Sequence, residues 1–434
     1  TFIKLYQAQI YESLFLHRMK HAIMELHSEA GYPTTRHELV LSPSRHFDLS
    51  YPAFVSKRSN MRPALIAAAC AAIGSVKGQQ QLLGQESHTT KPPNIVFILT
   101  DDQDVHLQSL DYMPLVRKHL LEEGTYYDKH YCTTAVCCPA RVTLFTGKAA
   151  HNTNITDVNP PYGGYPKFVK QGFNSKYLPV WLQEAGYNVY YTGKLFNAHN
   201  VDNYDSPYPA GFTSSVRALV TNEGKELMLQ DFLLDPFTYN YLNSSFQRNQ
   251  DPPVSHEGEY VTDVMAQKAY GLLDEAVEAN KPFFLMVAPS APHADIQNNS
   301  GSLTFDAPVS APRHWDLFKH VKVPRTVNFN PNVPSGANWI RALDQQNTTN
   351  VDWNDHFYRQ RLRSLQAVDE MVDGLFERLK SHDLLDNTYI FYSSDNGFHI
   401  GQHRMQPGKS TGCEEDINIP LIVRGPNVPI HETT

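Results

Sequence analysis

The sequence predicts an α/β fold in which a mixed, largely parallel sheet is sandwiched by helices. Two observations support this class. From residue 93 onward, short runs of consecutive apolar residues alternate with longer stretches of helical periodicity. Uninterrupted apolar strands are buried on both faces, as in parallel sheets that are covered by helices. In addition, four of the runs end abruptly in polar side chains, which is typical of strands that deliver functional residues to one edge of a sheet.

Five apolar runs are predicted to be strands, and three periodic stretches between them are predicted to be helices. The strand segments, in chain order, are NIVFILT, YNVYYTGK, PFFLMVAPSAPHAD, TYIFYSSDN and IPLIVRGP. The helical stretches are 178–185, 259–279 and 359–384. The first four strands end, respectively, at Asp101 and Asp102, at Lys194, near His293, and at Asp395 and Asn396. Because the carboxyl ends of parallel strands share one edge, these side chains are expected to form one site.

Length and composition restrict the classes of function. With 434 residues, the chain can form one large core or two domains. Hydrophobic residues make up 41% of the chain and charged residues 19%, as in ordinary globular proteins. The net charge of -8 argues against nucleic acid as the main partner, because no surplus of basic residues can neutralise phosphates. Any bound anion must therefore be held by a few local cations.

The first 78 residues differ from the rest of the chain. Residues 1–60 are predicted to be an extension outside the fold, because they show no sustained periodicity after about residue 30. Residues 61–78 have a short basic start, an apolar run and small residues at the end, which is typical of a secretory signal peptide. The run is shorter than the roughly 20 residues of a membrane span, and a buried alanine-rich helix is the alternative. The catalytic domain is expected over 79–434.

Potential glycosylation sites support secretion, into the extracellular space or a lysosome- or vacuole-like compartment. Four Asn-x-Ser/Thr sequons lie in polar, turn-like stretches and begin at Asn154, Asn243, Asn298 and Asn347. In an oxidising compartment, a disulfide between Cys413 and either Cys132 or Cys138 is possible.

The carboxylates at the strand ends suggest a cation. Asp101, Asp102, Asp395 and Asn396 offer only oxygen ligands, which hard cations such as Ca²⁺ and Mg²⁺ prefer. The alternative is that each pair only shapes a turn. However, adjacent aspartates at a buried strand end repel one another unless a cation or a proton intervenes.

Four basic residues lie near the same strand ends or near the turn CCPAR. They are Arg141, Lys148, Lys194 and Lys409. Together they could neutralise a tetrahedral oxyanion that an acidic protein would otherwise repel. Lys148 fits a solvated surface group equally well.

In the segment CCPARVTLFTG, residues 139–146 are expected to form a helix that ends near Gly147. Pro139 suits the first helical turn, where its missing N–H costs nothing. Cys137 would then lie at the helix N-terminus, where backbone amides favour anions. A zinc site is disfavoured, because no second Cys-x-x-Cys or matching His pair accompanies these cysteines. Cys137 is therefore interpreted as a reactive position.

The same segment resembles the C-x-P-S/A-R-x-x-L-x-T-G signature of the sulfatases. The blocks TDDQ at 100–103, TGK at 192–194, APH at 291–293, and SDNGFHIGQH at 394–403 followed by Lys409 are similar to other blocks of that family, in the same order. The resemblance covers roughly residues 92–426 and is greatest to secreted eukaryotic arylsulfatases and the glucosamine-6-sulfatase type. It implies an alkaline-phosphatase-like sulfatase fold, from which the usual C-terminal subdomain is missing or truncated.

The resemblance also implies a mechanism. A formylglycine-generating enzyme would oxidise Cys137 to Cα-formylglycine, whose hydrate supplies the nucleophile. One Ca²⁺ would be bound by Asp101, Asp102, modified Cys137, Asp395 and Asn396. Arg141 would orient the modified residue, and the sulfate would be contacted by Lys194, His293 and Lys409. Either His293 or Lys409 would protonate the leaving alcohol.

One position departs from the family pattern. Many sulfatases have a histidine two residues after the lysine of the G-K block, where this chain has Phe196. Asn197 or His199 could replace its function, or His399 could be the catalytic base.

The predicted activity is hydrolysis of sulfuric esters, as in an arylsulfatase that cleaves a small aryl sulfate to phenol and sulfate. The alternatives are an N-acetylglucosamine-6-sulfatase, a phosphonate or phosphate ester hydrolase of the same superfamily, and a non-enzymatic homologue.

Overall fold

The computed structural model of the protein describes residues 91–212, 230–299, 302–334 and 336–434. The predicted extension at 1–60 and the candidate signal peptide at 61–78 lie outside the described residues. The strands are β1 (Asn94–Thr100), β2 (Thr125–Tyr126), β3 (Asn188–Lys194), β4 (Gln230–Leu233), β5 (Asn243–Arg248), β6 (Val254–Glu257), β7 (Phe283–Ala288), β8 (Asp295–Asn299), β9 (Ser302–Asp306), β10 (Thr388–Ser394), β11 (Leu421–Arg424) and β12 (Glu432–Thr433).

The α-helices lie mainly between these strands. They are α1 (Pro114–Val116), α2 (Cys137–Thr146), α3 (Ala150–Thr153), α4 (Gly164–Lys170), α5 (Leu178–Glu184), α6 (Val261–Ala279), α7 (Asn338–Arg341), α8 (Thr348–Ser381) and α9 (Glu414–Ile417). Short 3₁₀ and π turns connect some of them. None of the described helices combines the length and the apolar composition that crossing a membrane requires.

Ten of the described strands form one mixed sheet with a parallel centre. Their order is β12-β2-β11-β10-β1-β7-β3-β4-β5-β6. The five strands from β10 to β4 in this order run parallel to one another. The neighbours on either side, β11 and β5, are antiparallel to them. The predicted class, a mixed and largely parallel sheet, is confirmed.

The sheet is covered on both faces, and alternate side chains of each strand enter different clusters. On β1, Val96 and Ile98 belong to one hydrophobic cluster together with residues of α6 and α8. Ile95, Phe97 and Leu99 belong to a second cluster together with residues of α2 and α5. This double burial explains why β1, β3, β7 and β10 each contain a run of consecutive apolar residues.

Two predicted boundaries are wrong. The strand predicted to end near His293 ends at Ala288, because the next residue, Pro289, has no N–H to continue the ladder. The helix predicted over 359–384 begins at Thr348. Its first turns are polar and hid the periodicity, but the Asn347 side chain caps this end by accepting a hydrogen bond from the Asn350 N–H at 2.9 Å.

Candidate active site

The polar side chains predicted at the strand ends lie along one edge of the sheet. Asp101 and Asp102 directly follow β1, Asp395 directly follows β10, and Lys194 is the last residue of β3. Strands β1 and β10 end in register, and the Asp102 N–H donates a hydrogen bond to Asp395 Oδ1 at 3.1 Å. All four side chains are buried. The parallel register of the central strands therefore assembles this group.

Cys137 is the first residue of α2 and lies against the two aspartates. The preceding Val136 is extended (φ -143°, ψ 127°), and the helix begins directly after it. The Cys137 Sγ is 3.3 Å from Asp101 Oδ1 and 4.0 Å from Asp102 Oδ1. Burial and the Asp101 carboxylate raise the pKa of the Cys137 thiol to about 12. The unmodified thiol is therefore protonated at neutral pH.

Arg141 and Lys194 neutralise the carboxylates on one side of the site. Arg141 donates from Nε to Asp395 Oδ2 at 2.7 Å and from Nη1 to the Lys194 carbonyl at 2.5 Å. Its Nη2 lies 3.5 Å from Asp101 Oδ2, and the Lys194 ammonium group donates to the same oxygen. Burial alone would raise the pKa of Asp101, but these cations outweigh it and hold that pKa below its usual value. Asp101 is therefore ionised at neutral pH.

Lys409 supplies a third cation from the loop that follows β10. Its ammonium group donates to Asp102 Oδ1, and it lies 2.7 Å from Cys137 Sγ and 3.4 Å from Asn396 Oδ1. Three cations thus face three carboxylates in the described part of the chain. The charges of this cluster balance before any ligand binds.

A subset of these side chains could hold a metal ion. One ligand atom from each of Asp101, Asp102, Cys137 and His293 lies within 4.8 Å of the others. His293 Nε2 is 3.6 Å from Asp102 Oδ2, and its Nδ1 is 2.8 Å from the Ala294 carbonyl oxygen. Burial lowers the pKa of His293, so its ring is neutral at neutral pH. The histidine that was predicted to contact sulfate therefore also faces the predicted cation ligands.

Asp395 and Asn396 form hydrogen bonds with Asp102, a member of this subset. Both carboxylate oxygens of Asp395 accept hydrogen bonds, Oδ1 from the N–H groups of Asp102 and Asn396 and Oδ2 from Arg141. The Asn396 Nδ2 donates to Asp102 Oδ1 at 2.7 Å. Of the five residues predicted to bind a cation, Asp101, Asp102 and Cys137 belong to this subset of possible ligands. Asp395 and Asn396 are hydrogen-bonded to Asp102 within it.

Asp102 has a left-handed backbone conformation (φ 65°), which two hydrogen bonds hold in place. Its N–H donates to Asp395, and its carbonyl accepts from Arg361 Nη2 at 2.6 Å. Arg361 is buried on α8, and it also donates to Asp104 Oδ1 at 3.0 Å and to the Pro292 carbonyl at 3.2 Å. Arg361 therefore ties the loops after β1 and β7 to α8. The sequence offered no signal for it, because one arginine in a charged helix resembles an exposed arginine.

Replacing Arg361 by methionine is expected to lower the free energy of unfolding by about 3–5 kcal/mol, because the buried Asp104 carboxylate and two carbonyls lose their donor. Urea denaturation followed by circular dichroism measures the difference. Arg378→Met on the same helix is the matched control, because Arg378 is 38% exposed in its pair with Asp274 and such pairs contribute at most about 1 kcal/mol. Equal losses in the two variants would contradict this role of Arg361.

His399 lies beside the loop that carries Lys409. Its Nδ1 is 2.7 Å from Asp416 Oδ1, and its backbone pairs with Gly408. The ring is buried. His399 as the catalytic base stays a prediction. Lys148 is exposed, which agrees with its interpretation as a surface group.

Two of the residues that follow Lys194 are part of the aromatic core. The ring of Phe196 lies 4.7 Å from that of Phe168, and the ring of His199 lies 4.5 Å from that of Tyr165, between centroids. Burial lowers the pKa of His199 to about 3. His199 is therefore neutral and packs among aromatic side chains, and the suggestion that it replaces the catalytic histidine stays a prediction.

Tyr239, which no sequence pattern predicted as a site residue, lies next to Cys137. Its hydroxyl is 4.0 Å from Cys137 Sγ and accepts a hydrogen bond from Asn197 Nδ2 at 2.7 Å. Its ring stacks on His293 with 3.9 Å between centroids. Tyr239 lies in the loop between β4 and β5, and a loop tyrosine carries no pattern that would predict this position.

Three further cysteines lie in the described part of the chain, at positions 132, 138 and 413. Cys138 and Cys413 have free thiols, so the possible disulfide between Cys413 and Cys132 or Cys138 is not formed. Cys138 packs inside a hydrophobic cluster, and the Cys132 thiol lies 3.7 Å from the Asp416 carbonyl oxygen. Of the two cysteines in the CCPAR turn, Cys137 faces the carboxylates and Cys138 does not.

Similar proteins share most of this chain. An arylsulfatase of Volvox carteri is 40% identical over 348 residues, which cover 77% of this chain and 51% of that protein. An arylsulfatase of Chlamydomonas reinhardtii is 39% identical over 378 residues, 84% of this chain and 54% of that protein. The N-acetylglucosamine-6-sulfatase of Homo sapiens is 30% identical over 351 residues, 80% and 58% of the two chains. The chain thus spans about half the length of these relatives.

The fold also has a close counterpart among solved structures. A protein solved in complex with its substrate, D-glucosamine-2-N,6-O-disulfate, superposes with a TM-score of 0.62 at 23% identity, covering 79% of this chain and 73% of that one. Residues 93–432 match the family model described as Sulfatase. This match spans the main sheet, apart from Thr433 at the end of β12, and the whole cluster around Cys137. The chain therefore belongs to the sulfatase family.

Proposed function

We propose that the protein is an arylsulfatase, which hydrolyses a small aryl sulfate to a phenol and sulfate with a formylglycine formed from Cys137 and one bound Ca²⁺. One observation carries this proposal. Cys137 lies at a helix start, inside a buried cluster in which three carboxylates and three cations balance. The names of the arylsulfatase relatives favour an aryl sulfate over other esters.

The residues present fit Ca²⁺. Asp101, Asp102, Asp395 and Asn396 offer oxygen atoms, which this cation prefers. The Lys409 ammonium group lies where Asp102, Cys137 and Asn396 meet, so this point favours positive charge. A bound Ca²⁺ would polarise sulfate oxygens and lower the pKa of the nucleophile. Two added charges would also give the balanced cluster a positive excess, which suits an anionic ester.

Conversion of Cys137 fits the electrostatics of its surroundings. With the pKa of the thiol raised to about 12, the unmodified residue is a poor thiolate nucleophile at neutral pH. An aldehyde hydrate at the same position has two hydroxyl groups. One, losing its proton, would attack sulfur and displace the alcohol, which takes up a proton. The other would then lose its proton while the C–O bond to the sulfate breaks, which releases sulfate and restores the aldehyde for hydration by water.

The surrounding side chains orient the residue at position 137, bind the sulfate and protonate the leaving alcohol. Arg141 orients the residue at position 137 from the same helix, because it is fixed to Asp395 and to the Lys194 carbonyl. Lys194, His293 and Lys409 bind the sulfate oxygens. Lys409 is the better donor to the leaving alcohol: burial opposes its charge, but the Asp102 carboxylate raises its pKa, so it keeps its proton at neutral pH.

Two measurements on the purified protein test this proposal. Mass spectrometry of the peptide that contains Cys137 is expected to show an aldehyde in place of the thiol. An aryl sulfate is expected to be hydrolysed faster than the matching aryl phosphate and faster than N-acetylglucosamine 6-sulfate. Faster phosphate hydrolysis would overturn the sulfatase assignment, and faster hydrolysis of the sugar sulfate would overturn the aryl substrate. An intact thiol without turnover would show that the protein only binds.

We also propose that the protein is a secreted glycoprotein. Asn154 and Asn347 are exposed, and both begin sequons. Treatment of protein from a eukaryotic secretory host with an N-glycosidase is expected to increase its electrophoretic mobility. Unchanged mobility, with the unmodified peptide mass at both asparagines, would contradict glycosylation.

A further inference from the structure

We propose that Tyr239 is a further catalytic residue, which donates a hydrogen bond to the nucleophile formed at Cys137, and that Asn197 is the positioning residue that orients its hydroxyl. This inference rests on the proposed function. It addresses the position at which the chain departs from the family pattern, where Phe196 replaces a histidine.

The direction of the hydrogen bonds supports a donor role for Tyr239. Asn197 Nδ2 donates to the Tyr239 hydroxyl at 2.7 Å and so occupies a lone pair of that oxygen. The hydroxyl hydrogen is then directed at Cys137 Sγ, which lies 4.0 Å away. The Sγ marks the place from which the nucleophile acts, so Tyr239 touches the reacting group.

The ring of Tyr239 contacts two other residues of the site, His293 and Lys194. On one side it stacks on the His293 ring, with 3.9 Å between centroids and 21° between planes. The Lys194 ammonium nitrogen lies 4.7 Å from the ring centroid. The backbone is also fixed, because the Ile296 N–H donates to the Tyr239 carbonyl at 3.1 Å. A hydroxyl on a fixed ring can stabilise developing charge without rearrangement during the reaction.

The side-chain oxygen of Asn197 is a second, independent indication that a ligand binds here. Its side chain is buried, with 6% of the residue exposed, and its Oδ1 has no hydrogen-bond partner among the described residues. A buried polar atom without a partner is unfavourable unless a bound group supplies one. A hydroxyl group of the nucleophile or of the substrate would do so. Asn197 and Tyr239 thus form a neutral, hydrogen-bonded pair whose hydroxyl lies next to Cys137.

The test compares Tyr239→Phe with the wild type in steady-state hydrolysis of an aryl sulfate. Loss of one donor to developing charge is expected to lower kcat by about 100-fold, with little change in KM. Mass spectrometry of the Cys137 peptide must show equal conversion to the aldehyde in both proteins, so that the loss reports catalysis. Asn197→Ala is expected to lower kcat less, and to add little when combined with Tyr239→Phe, because the two residues act as one unit.

Tyr187→Phe is the matched control. Its hydroxyl is also buried and donates to the Pro93 carbonyl at 3.0 Å, but it precedes β3 at the opposite end of the sheet. This variant is expected to keep the kcat of the wild type. If the wild type turns over aryl sulfate and Tyr239→Phe has the same kcat, the inference alone is overturned. Independent, multiplicative effects of the Tyr239 and Asn197 substitutions would overturn the positioning role. A wild type without turnover would overturn the proposed function, and this inference with it.

Discussion

Cys137→Ala is expected to lower the turnover of aryl sulfates by at least about 10⁴-fold, because alanine cannot be converted to the aldehyde that supplies the nucleophile. The variant should still fold, since the Cys137 side chain contacts polar atoms of the site and removing it creates little apolar cavity. Steady-state hydrolysis of a chromogenic aryl sulfate measures the effect, and thermal unfolding shows that the fold is intact.

Cys138→Ala is the matched control for this variant. Cys138 is the neighbouring residue on α2, and it packs in a hydrophobic cluster. Its removal is expected to cost about 1–2 kcal/mol of stability while the turnover stays near that of the wild type. Cys132→Ala should likewise act mainly on folding. Full turnover by Cys137→Ala would refute the covalent mechanism.

Arg141→Met is expected to have the second large effect, and it should change both stability and turnover. Arg141 is completely buried and is hydrogen-bonded to Asp395 and to the Lys194 carbonyl. Removing it leaves Asp395 without its main cation in a buried position, which should lower the free energy of unfolding by about 3–5 kcal/mol. Turnover should fall at least about 100-fold, because the residue at position 137 loses its orientation. Urea denaturation and steady-state hydrolysis measure the two effects separately.

A second substitution separates these two roles of Arg141. In the combined variant Arg141→Met with Asp395→Asn, no unpaired carboxylate remains at position 395, so part of the lost stability should return. Turnover should not return, because neither the orientation of residue 137 nor the charge of Asp395 is restored. Recovery of turnover together with stability would show that Arg141 has only a structural role.

The central part of the fold could be predicted because its signals are local. Each of β1, β3, β7, β10 and β11 is a continuous apolar run, since both faces of the sheet are covered. The outer strands could not be predicted in this way. Strands β5 (NSSFQR) and β6 (VSHE) are short and polar, and β6 is largely exposed. Such segments become strands through pairing with a neighbour and not through their own pattern.

The same distinction between local patterns and long-range packing applies to the residues of the site. Local patterns were sufficient to predict that Asp101, Asp102, Lys194 and Asp395 lie at strand ends and that Cys137 lies at a helix N-terminus, because neighbouring residues mark such ends. Long-range packing was needed to show that Arg361 donates to the Asp102 carbonyl, that Tyr239 lies next to Cys137 and that the His199 ring packs against Tyr165. The first two contacts join residues separated by 259 and 102 positions. These contacts form only when the whole chain packs, so no local sequence pattern predicts them.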